Sequence, residues 1–239
     1  MTELSLIIPA YNAGAFFEDS LRRLQEMLAT RPAWELIIVD DGSSDRTQEI
    51  SALSLKDIPR ARNLRLSRNQ GKGAALRAGM REARGAFVAF TDADLPYGLA
   101  VFDAMLAQMR QDERFALLYG SRSHTHSVQS GYGLIRVLGR RFFGGLIRAI
   151  MPDVADTQCG IKLFRKELAQ KIVEKGRIDG FAADIEFFVI ARAEKQAYRD
   201  FPVLLTHRKE SSVRLVRDSL MMLKDMMQIF YRRWRGDYV

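Results

Sequence analysis

Short apolar runs alternate with amphipathic stretches along the first 120 residues of the chain. The runs have the length and β-branched content of buried strands, and the stretches between them repeat apolar residues at helical spacing. The predicted strands are 4–8, 35–39, 61–66, 85–90 and 115–119. Three predicted helices are 16–29, 69–83 and 99–111. A further helix is predicted to begin at a cap formed by Ser43 or Ser44 and to run through Ile50. This alternation predicts an α/β fold with a mostly parallel sheet and helices on both faces.

The alternation stops after residue 120. Helices are predicted near 166–175 and 184–194, and a strand is predicted at 201–205. The segment 134–150 contains no acidic residue, and a helical wheel places its arginines opposite its large apolar residues. That arrangement is typical of a helix on a membrane surface, and a helix packed on the core with a solvated basic face is the alternative.

The last segment, 211–234, has a similar two-sided character. It pairs a methionine-rich face with a basic end at 232–235. Methionines at helical spacing are usually core residues, whereas the indole of Trp234 between arginines suits a lipid headgroup zone. Both interpretations stay open for this helix.

Acidic residues follow two of the predicted strands. Asp92 and Asp94 come after 85–90, and Asp40 and Asp41 come after 35–39. Open α/β sheets bind ligands at the carboxyl ends of their strands. Two carboxylates on alternate residues can hold a hard divalent cation, which can bridge diphosphate oxygens. The pattern indicates displacement of a nucleotide diphosphate, with helix caps and polar turns as the alternative for both pairs.

Glycines surround Lys72 where the third predicted helix begins, a pattern that suits a phosphate. This is not a Walker A loop, because Leu66 stands where its first glycine would be and no Ser or Thr follows Lys72. A plain turn is the alternative.

Composition narrows the class of partner. The chain has 239 residues with 37 basic and 29 acidic side chains, a net charge of +8 and a sequence pI near 9.8, so it attracts phosphates, acidic lipids or nucleic acid. The paired carboxylates would repel a nucleic-acid backbone, so we expect no nucleic acid.

One cysteine, Cys159, excludes an internal disulfide, and with only three histidines beside it the chain has few ligands for zinc. No apolar run approaches the roughly 18 residues of a membrane span, so we expect no transmembrane segment or signal peptide and only peripheral membrane contact.

Together these stretches resemble the family 2 glycosyltransferases of the GT-A fold. Among these they are most similar to the polyprenyl-phosphate sugar transferases, and nearest to the dolichyl-phosphate beta-glucosyltransferase type. The matching motifs occur in the family's order at 7–12, 39–45 with Thr47, 69–75, 83–85, 91–94, 120–122, 156–160, 162–164 and 183–186. The resemblance implies a GT-A domain over 1–210 and a basic, methionine-rich helix at 211–239 that associates with the cytoplasmic face of a membrane.

The resemblance also implies the reaction and its residues. A hexose, with glucose favoured, would pass with inversion from a nucleotide diphosphate sugar to a polyprenyl phosphate, with Mg²⁺ or Mn²⁺ as cofactor. UDP-glucose is the favoured donor, and GDP-mannose is possible. The residues implied for the nucleotide sugar are Pro9, Ala10, Tyr11, Asp40, Asp41, Lys72, Asp92, Ala93 and Arg208. Asp94 would hold the metal, and the implied catalytic set is Asp92, Asp94, Gln158 and Asp184. Lys162 and Arg214 would face the diphosphate, and the acceptor phosphate would meet Arg122, Arg136 and Arg140, with help from Arg141.

The chemistry of the acceptor decides what Asp184 must do. A lipid monophosphate has a second pKa of about 6, so it is largely dianionic at neutral pH and needs no strong base. Asp184 could be a base for a hydroxyl acceptor, a ligand of a sugar hydroxyl, or a helix cap. Two other functions stay open: a family 2 transferase acting on a soluble glycan hydroxyl, and a non-catalytic basic module that binds nucleotides or nucleic acid.

Overall fold

The computed structural model describes residues 1–122, 145, 147–148, 150–205 and 215–238, with the side chains of 215–219 left out. Its strands are β1 (Leu4–Ala10), β2 (Trp34–Asp40), β3 (Ala61–Arg65), β4 (Phe87–Thr91), β5 (Phe115–Ser121), β6 (Ile161–Arg165) and β7 (Ala197–Pro202). Its helices are α1 (Phe17–Thr30), α2 (Thr47–Leu55), α3 (Lys72–Glu82), α4 (Val101–Gln111), α5 (Lys166–Lys175), α6 (Ala183–Ala193) and α7 (Leu215–Arg235). The strands form one sheet in the order β3-β2-β1-β4-β6-β5-β7.

One strand, β6, runs against the others. It lies between β4 and β5 and pairs antiparallel with both, whereas the remaining pairs are parallel. The carboxyl ends of β1, β2, β4 and β5 therefore meet at one edge of the sheet, and β6 begins there. Because Thr91 pairs with Ile161 at this edge, the residues just before β6 lie beside those that follow β4.

Helices cover both faces of the sheet, as the alternation of strands and helices predicts. Successive side chains of a strand point to opposite faces, so Ile7 of β1 joins one buried cluster while Leu6 and Ile8 join the other. The first cluster includes residues of α3, α5, α6 and α7, and the second includes residues of α1, α2 and α4. The result is a three-layer α/β/α domain whose strand ends open at one edge.

Three predicted boundaries are wrong. The seventh strand is Ala197–Pro202, so it shares only two residues with the predicted 201–205. Its residues are mostly exposed or half-buried at the edge of the sheet, so no apolar run marks where it begins. Neither Ser43 nor Ser44 caps α2, which begins at Thr47 without a side-chain cap, since these serines bond to Asn12 instead. The third helix begins at Lys72, later than predicted.

The C-terminal helix α7 is fastened to the domain. Met226, Ile229 and the following Tyr238 are buried in the first cluster. Arg232 donates to the fully buried Glu186 at 2.8 Å, and the Tyr238 hydroxyl donates to the same carboxylate at 2.8 Å. Among the helices that the structure describes, none combines the length and apolar composition needed to cross a bilayer. Most of the predicted helix at 134–150 lies outside the described residues.

Candidate active site

The Asp-x-Asp stretch follows β4 at the edge where the parallel strands end. The backbone turns there, with Leu95 at a φ of 50° and its N–H donating to the Asp92 carbonyl at 3.0 Å. Helix α4 begins later, at Val101, and has no side-chain cap. The helix-cap alternative for Asp94 is therefore wrong, and both carboxylates lie at the open edge of the sheet.

Charges of alternating sign run from Asp92 into the protein. Lys72 Nζ donates to Asp92 Oδ1 at 2.7 Å and lies 3.7 Å from Asp184 Oδ2. The other oxygen of Asp184 accepts from Lys162 Nζ at 2.5 Å. Burial lowers the pKa of Lys72, but attraction to Asp92 and Asp184 outweighs that effect, so its pKa is raised overall. Lys72 therefore stays charged at neutral pH and binds the two acids together.

Lys162 does not face the diphosphate, which corrects the sequence-based expectation. Its side chain is fully buried. Besides Asp184, its ammonium donates to the carbonyl oxygens of Thr157 at 3.1 Å and Cys159 at 3.0 Å. An ammonium has three N–H donors, so these bonds leave none for a ligand. The other predicted partner of the diphosphate, Arg214, lies outside the described residues.

Asp184 lies in the first turn of α6 and is almost fully buried. The helix has no side-chain cap, so the cap alternative is wrong for this residue. Its carboxylate instead links Lys72 of α3 to Lys162 of β6. A role as a base or as a ligand of a sugar hydroxyl stays a prediction.

The loop before β6 presses on Asp92. A Cβ added to Gly160 would lie 1.8 Å from Asp92 Oδ2, so only a glycine allows this approach. In the same loop, Gln158 Nε2 is buried and has no hydrogen-bond partner among the described residues. The contact between Gly160 and the Asp92 carboxylate was not predicted from the sequence. The glycine in the polar loop 156–160 was the signal that could have indicated it.

Asp40 and Tyr11 lie at the ends of β2 and β1, which are neighbouring strands. Asp40 is fully buried, and its Oδ1 accepts from the Ser43 N–H at 3.0 Å. Within the described part of the chain its Oδ2 has no hydrogen bond, although Arg65 Nε lies 3.4 Å away. The Tyr11 ring is half-exposed, and Pro9 and Ala10 precede it in β1. Among the described residues, Asp40 thus keeps a buried acceptor oxygen without a hydrogen bond, next to the strand end that Tyr11 follows.

Asp41 bonds the backbone of the turn before α3. It is buried, and its two oxygens accept from the backbone N–H groups of Gln70 at 2.7 Å and Gly71 at 2.8 Å. Burial raises its pKa against the opposing effect of these bonds. Its oxygens hold the turn before α3, and its predicted contact with the nucleotide stays a prediction.

The start of α3 is a turn rather than a phosphate cradle. The N–H groups of Gly73 and Ala74 donate to the Asp179 carbonyl at 2.7 and 3.3 Å. Gly71 has a φ of 107°, and a Cβ there would lie 2.4 Å from the same carbonyl oxygen. The backbone donors that a phosphate would use are thus taken, and Lys72 contributes to the site through its side chain.

Arg122 lies at the end of β5, on the same edge as Asp92. It forms a two-point pair with Asp156, from Nε at 2.7 Å and from an Nη at 2.9 Å. The hydrogen bonds to Asp156 raise the pKa of Arg122 further above its ordinary value, although burial opposes them. Its role toward an acceptor phosphate stays a prediction. The other arginines predicted for ligands, Arg136, Arg140, Arg141 and Arg208, lie outside the described residues.

The donor set at this edge fits a hard divalent cation only in part. Asp92 and Asp94 offer carboxylate oxygens, which Mg²⁺ and Mn²⁺ prefer. Within the described ranges, no group of three or more His, Cys, Asp or Glu side chains could hold a metal. Mg²⁺ is typically bound through one or two carboxylates, water and substrate phosphates. The arrangement therefore fits a cation that arrives with a diphosphate.

The family model and two curated relatives that match this chain are all glycosyltransferases. Residues 5–173 match the family model described as glycosyl transferase family 2. A dolichyl-phosphate beta-glucosyltransferase from Drosophila melanogaster is 30% identical over 248 residues, which cover 96% of this chain and 75% of the relative. One from Saccharomyces cerevisiae is 28% identical over 247 residues, covering 95% and 73%.

Solved structures show the fold. Glucosyl-3-phosphoglycerate synthase from Mycobacterium tuberculosis, in complex with Mn²⁺, UDP and glucosyl-3-phosphoglycerate, superposes with a TM-score of 0.69 at 21% identity, covering 95% of this chain and 80% of that one. Its complex with Mg²⁺ and UDP gives a TM-score of 0.70 at 20% identity, covering 95% and 79%. The predicted GT-A fold is confirmed.

Proposed function

Because this chain belongs to glycosyl transferase family 2, we propose that it transfers glucose from UDP-glucose to a polyprenyl phosphate, with inversion at the sugar C1. Relatives at 28% and 30% identity are named dolichyl-phosphate beta-glucosyltransferases, which supports both the sugar and the lipid phosphate. The observation that carries the proposal is the line of alternating charges at the carboxyl edge of the sheet, made by Asp92, Lys72, Asp184 and Lys162.

The donor extends along this edge from the end of β2 to the end of β4. Asp40 and Tyr11 hold the nucleobase end, where the Asp40 Oδ2 accepts an N–H of the base. Asp94 and Asp92 would hold a divalent cation, which when bound neutralises charge on the departing diphosphate. Lys72 keeps Asp92 in place and adds a positive charge beside the diphosphate oxygens.

The partners of Asp184 favour a phosphate acceptor over a hydroxyl acceptor. A hydroxyl needs a carboxylate that can reach it and accept its proton, whereas Asp184 is almost fully buried, with one oxygen bonded by Lys162 and the other 3.7 Å from the Lys72 ammonium. A lipid phosphate is already ionised at neutral pH, since its second pKa is about 6. Its oxygen can then attack C1 from the face opposite the diphosphate, so the protein's task is positioning and charge stabilisation. Transfer to a soluble glycan is the second candidate, and it requires Asp184 to exchange partners.

The outer face of α7 supports contact with a membrane surface. Leu220, Met227, Tyr231 and Trp234 recur at helical spacing and are exposed, Trp234 by 83%. Lys224, four residues after Leu220, and Arg235, four residues after Tyr231, lie along one side of this face. Apolar and aromatic residues bordered by cations are typical of a helix that lies in the headgroup zone of a bilayer. The free, buried Cys159 suits a reducing compartment, and we place the enzyme peripherally on the cytoplasmic face.

Phase partition of the product tests the proposal. The protein is incubated with radiolabelled UDP-glucose, Mn²⁺, polyprenyl phosphate and a soluble oligosaccharide, and the mixture is then extracted. We expect label in the organic phase and its loss in EDTA. Label on the oligosaccharide in the aqueous phase would instead support the second candidate, and no transfer to either would indicate a binding module.

A further inference from the structure

Lys162 places a positive charge inside the protein, next to the active site. Its side chain has no exposed surface, and the rings of Phe90 and Phe188 lie 5.4 and 5.5 Å from its Nζ. A buried ammonium is unfavourable unless its charge and donors are matched, and replacing both members of a buried ion pair with apolar side chains is often neutral or stabilising. The charge therefore points to a role beyond packing.

Its three hydrogen bonds join two separate parts of the chain. Two go to the carbonyls of Thr157 and Cys159, so the loop before β6 wraps around the ammonium. The third goes to Asp184 on the first turn of α6. Lys162 is thus the point at which this loop and this helix are held at a fixed separation.

Both parts lead to Asp92. Along the loop, Gly160 lies so close to the Asp92 carboxylate that a Cβ would overlap Oδ2. Through α6, Asp184 attracts Lys72, whose ammonium bonds Asp92 at 2.7 Å. A carboxylate held from two sides has little freedom, and positions at a reacting centre matter on the scale of an ångström.

We propose that Lys162 is a positioning residue for the transfer reaction: it fixes the loop 157–160 together with Asp184, and so sets Asp92 and Lys72 against the donor. This inference rests on the proposed function. In this role the buried ammonium acts through the loop 157–160 and Asp184 and does not contact the substrate.

The test uses Lys162→Met, which keeps the length of the side chain and removes the charge. Asp184→Asn and the double variant Lys162→Met/Asp184→Asn accompany it, because the double variant leaves no unpaired buried charge. Lys171→Met, which removes an exposed lysine paired with Glu174, is the control. Each is measured for kcat and KM, for thermal unfolding, and for UDP affinity by calorimetry with Mn²⁺ and with EDTA.

We expect Lys162→Met to lower kcat by about ten- to a hundredfold at temperatures where it is folded. Its UDP affinity in EDTA should stay within about twofold of wild type, since the nucleobase end is untouched, while the gain in affinity that Mn²⁺ gives should fall about tenfold. The double variant should regain thermal stability yet remain about tenfold below Asp184→Asn in kcat, because the loop carbonyls have lost their donor. Lys171→Met should match wild type.

Two results would overturn the inference. One is a folded Lys162→Met with wild-type kcat and a full Mn²⁺ gain. The other is a stable double variant whose kcat equals that of Asp184→Asn, which would mean that Lys162 only balances the charge of Asp184. If Lys162→Met does not fold, the comparison of the double variant with Asp184→Asn decides. If wild type binds UDP more tightly with Mn²⁺ but transfers nothing to polyprenyl phosphate, the proposed function fails while the UDP measurements still test Lys162.

Discussion

Replacing Gly160 with alanine should disable the enzyme without unfolding it. The new Cβ would lie 1.8 Å from Asp92 Oδ2 and 2.7 Å from its Cγ, and carbon and oxygen do not approach so closely without a bond. Since Asp92 follows a strand at the open edge and its side chain is 38% exposed, the carboxylate can turn outward. That turn of more than an ångström breaks its 2.7 Å bond to Lys72.

The expected loss follows from that displacement. Misplacing a catalytic group by about 1 Å costs on the order of a hundredfold in rate, or about 2.7 kcal/mol in activation free energy. The assay is kcat for transfer to polyprenyl phosphate, beside urea unfolding of the same preparation. Gly145→Ala is the matched control, because a Cβ there meets no described residue within 4 Å. A Gly160→Ala enzyme with wild-type kcat and unchanged stability would refute the reasoning, since it would mean that the position of Asp92 does not matter.

Three further predictions concern single side chains. Asp94→Ala should abolish turnover, as should EDTA, because the diphosphate loses its cation; label transfer from UDP-glucose measures this, and full activity in EDTA would contradict it. Asp184→Asn should lower the rate without abolishing it, because the phosphate nucleophile is already ionised; rate against pH measures this, and complete inactivity with donor binding intact would favour a hydroxyl acceptor. Arg232→Met should lower the free energy of unfolding by about 3–5 kcal/mol, because it leaves the fully buried Glu186 without its cation. Urea unfolding measures this against the exposed control Arg22→Met, and equal stability of the two variants would contradict it.

Most of the fold could be predicted from local features of the sequence. Each apolar run stands next to its own turn residues, so the strands β1 to β5 and the acids after β4 could be predicted from short windows. The place of Asp92 and Asp94 at the strand ends follows from that local order together with the rule for open sheets.

What could not be predicted depends on distant pairing. The insertion of β6 between β4 and β5 brings Gly160 against Asp92, and no local pattern encodes that register. Lysines are rarely buried, so Lys162 reads as a surface cation until Asp184, 22 residues later, is seen beside it. Asp40 and Asp41 look alike in sequence, yet the first keeps an unsatisfied oxygen and the second holds the turn before α3.

The chemical structure of the product tests the central claim most directly. The lipid product formed from UDP-glucose is purified, and its ¹H and ³¹P NMR spectra are recorded. We predict a single glucose joined through C1 to the lipid phosphate as a phosphodiester in the β configuration, the inverse of the α-linked donor. An α-linked product, or glucose attached anywhere but the phosphate oxygen, would contradict attack by an ionised phosphate on the face opposite the diphosphate.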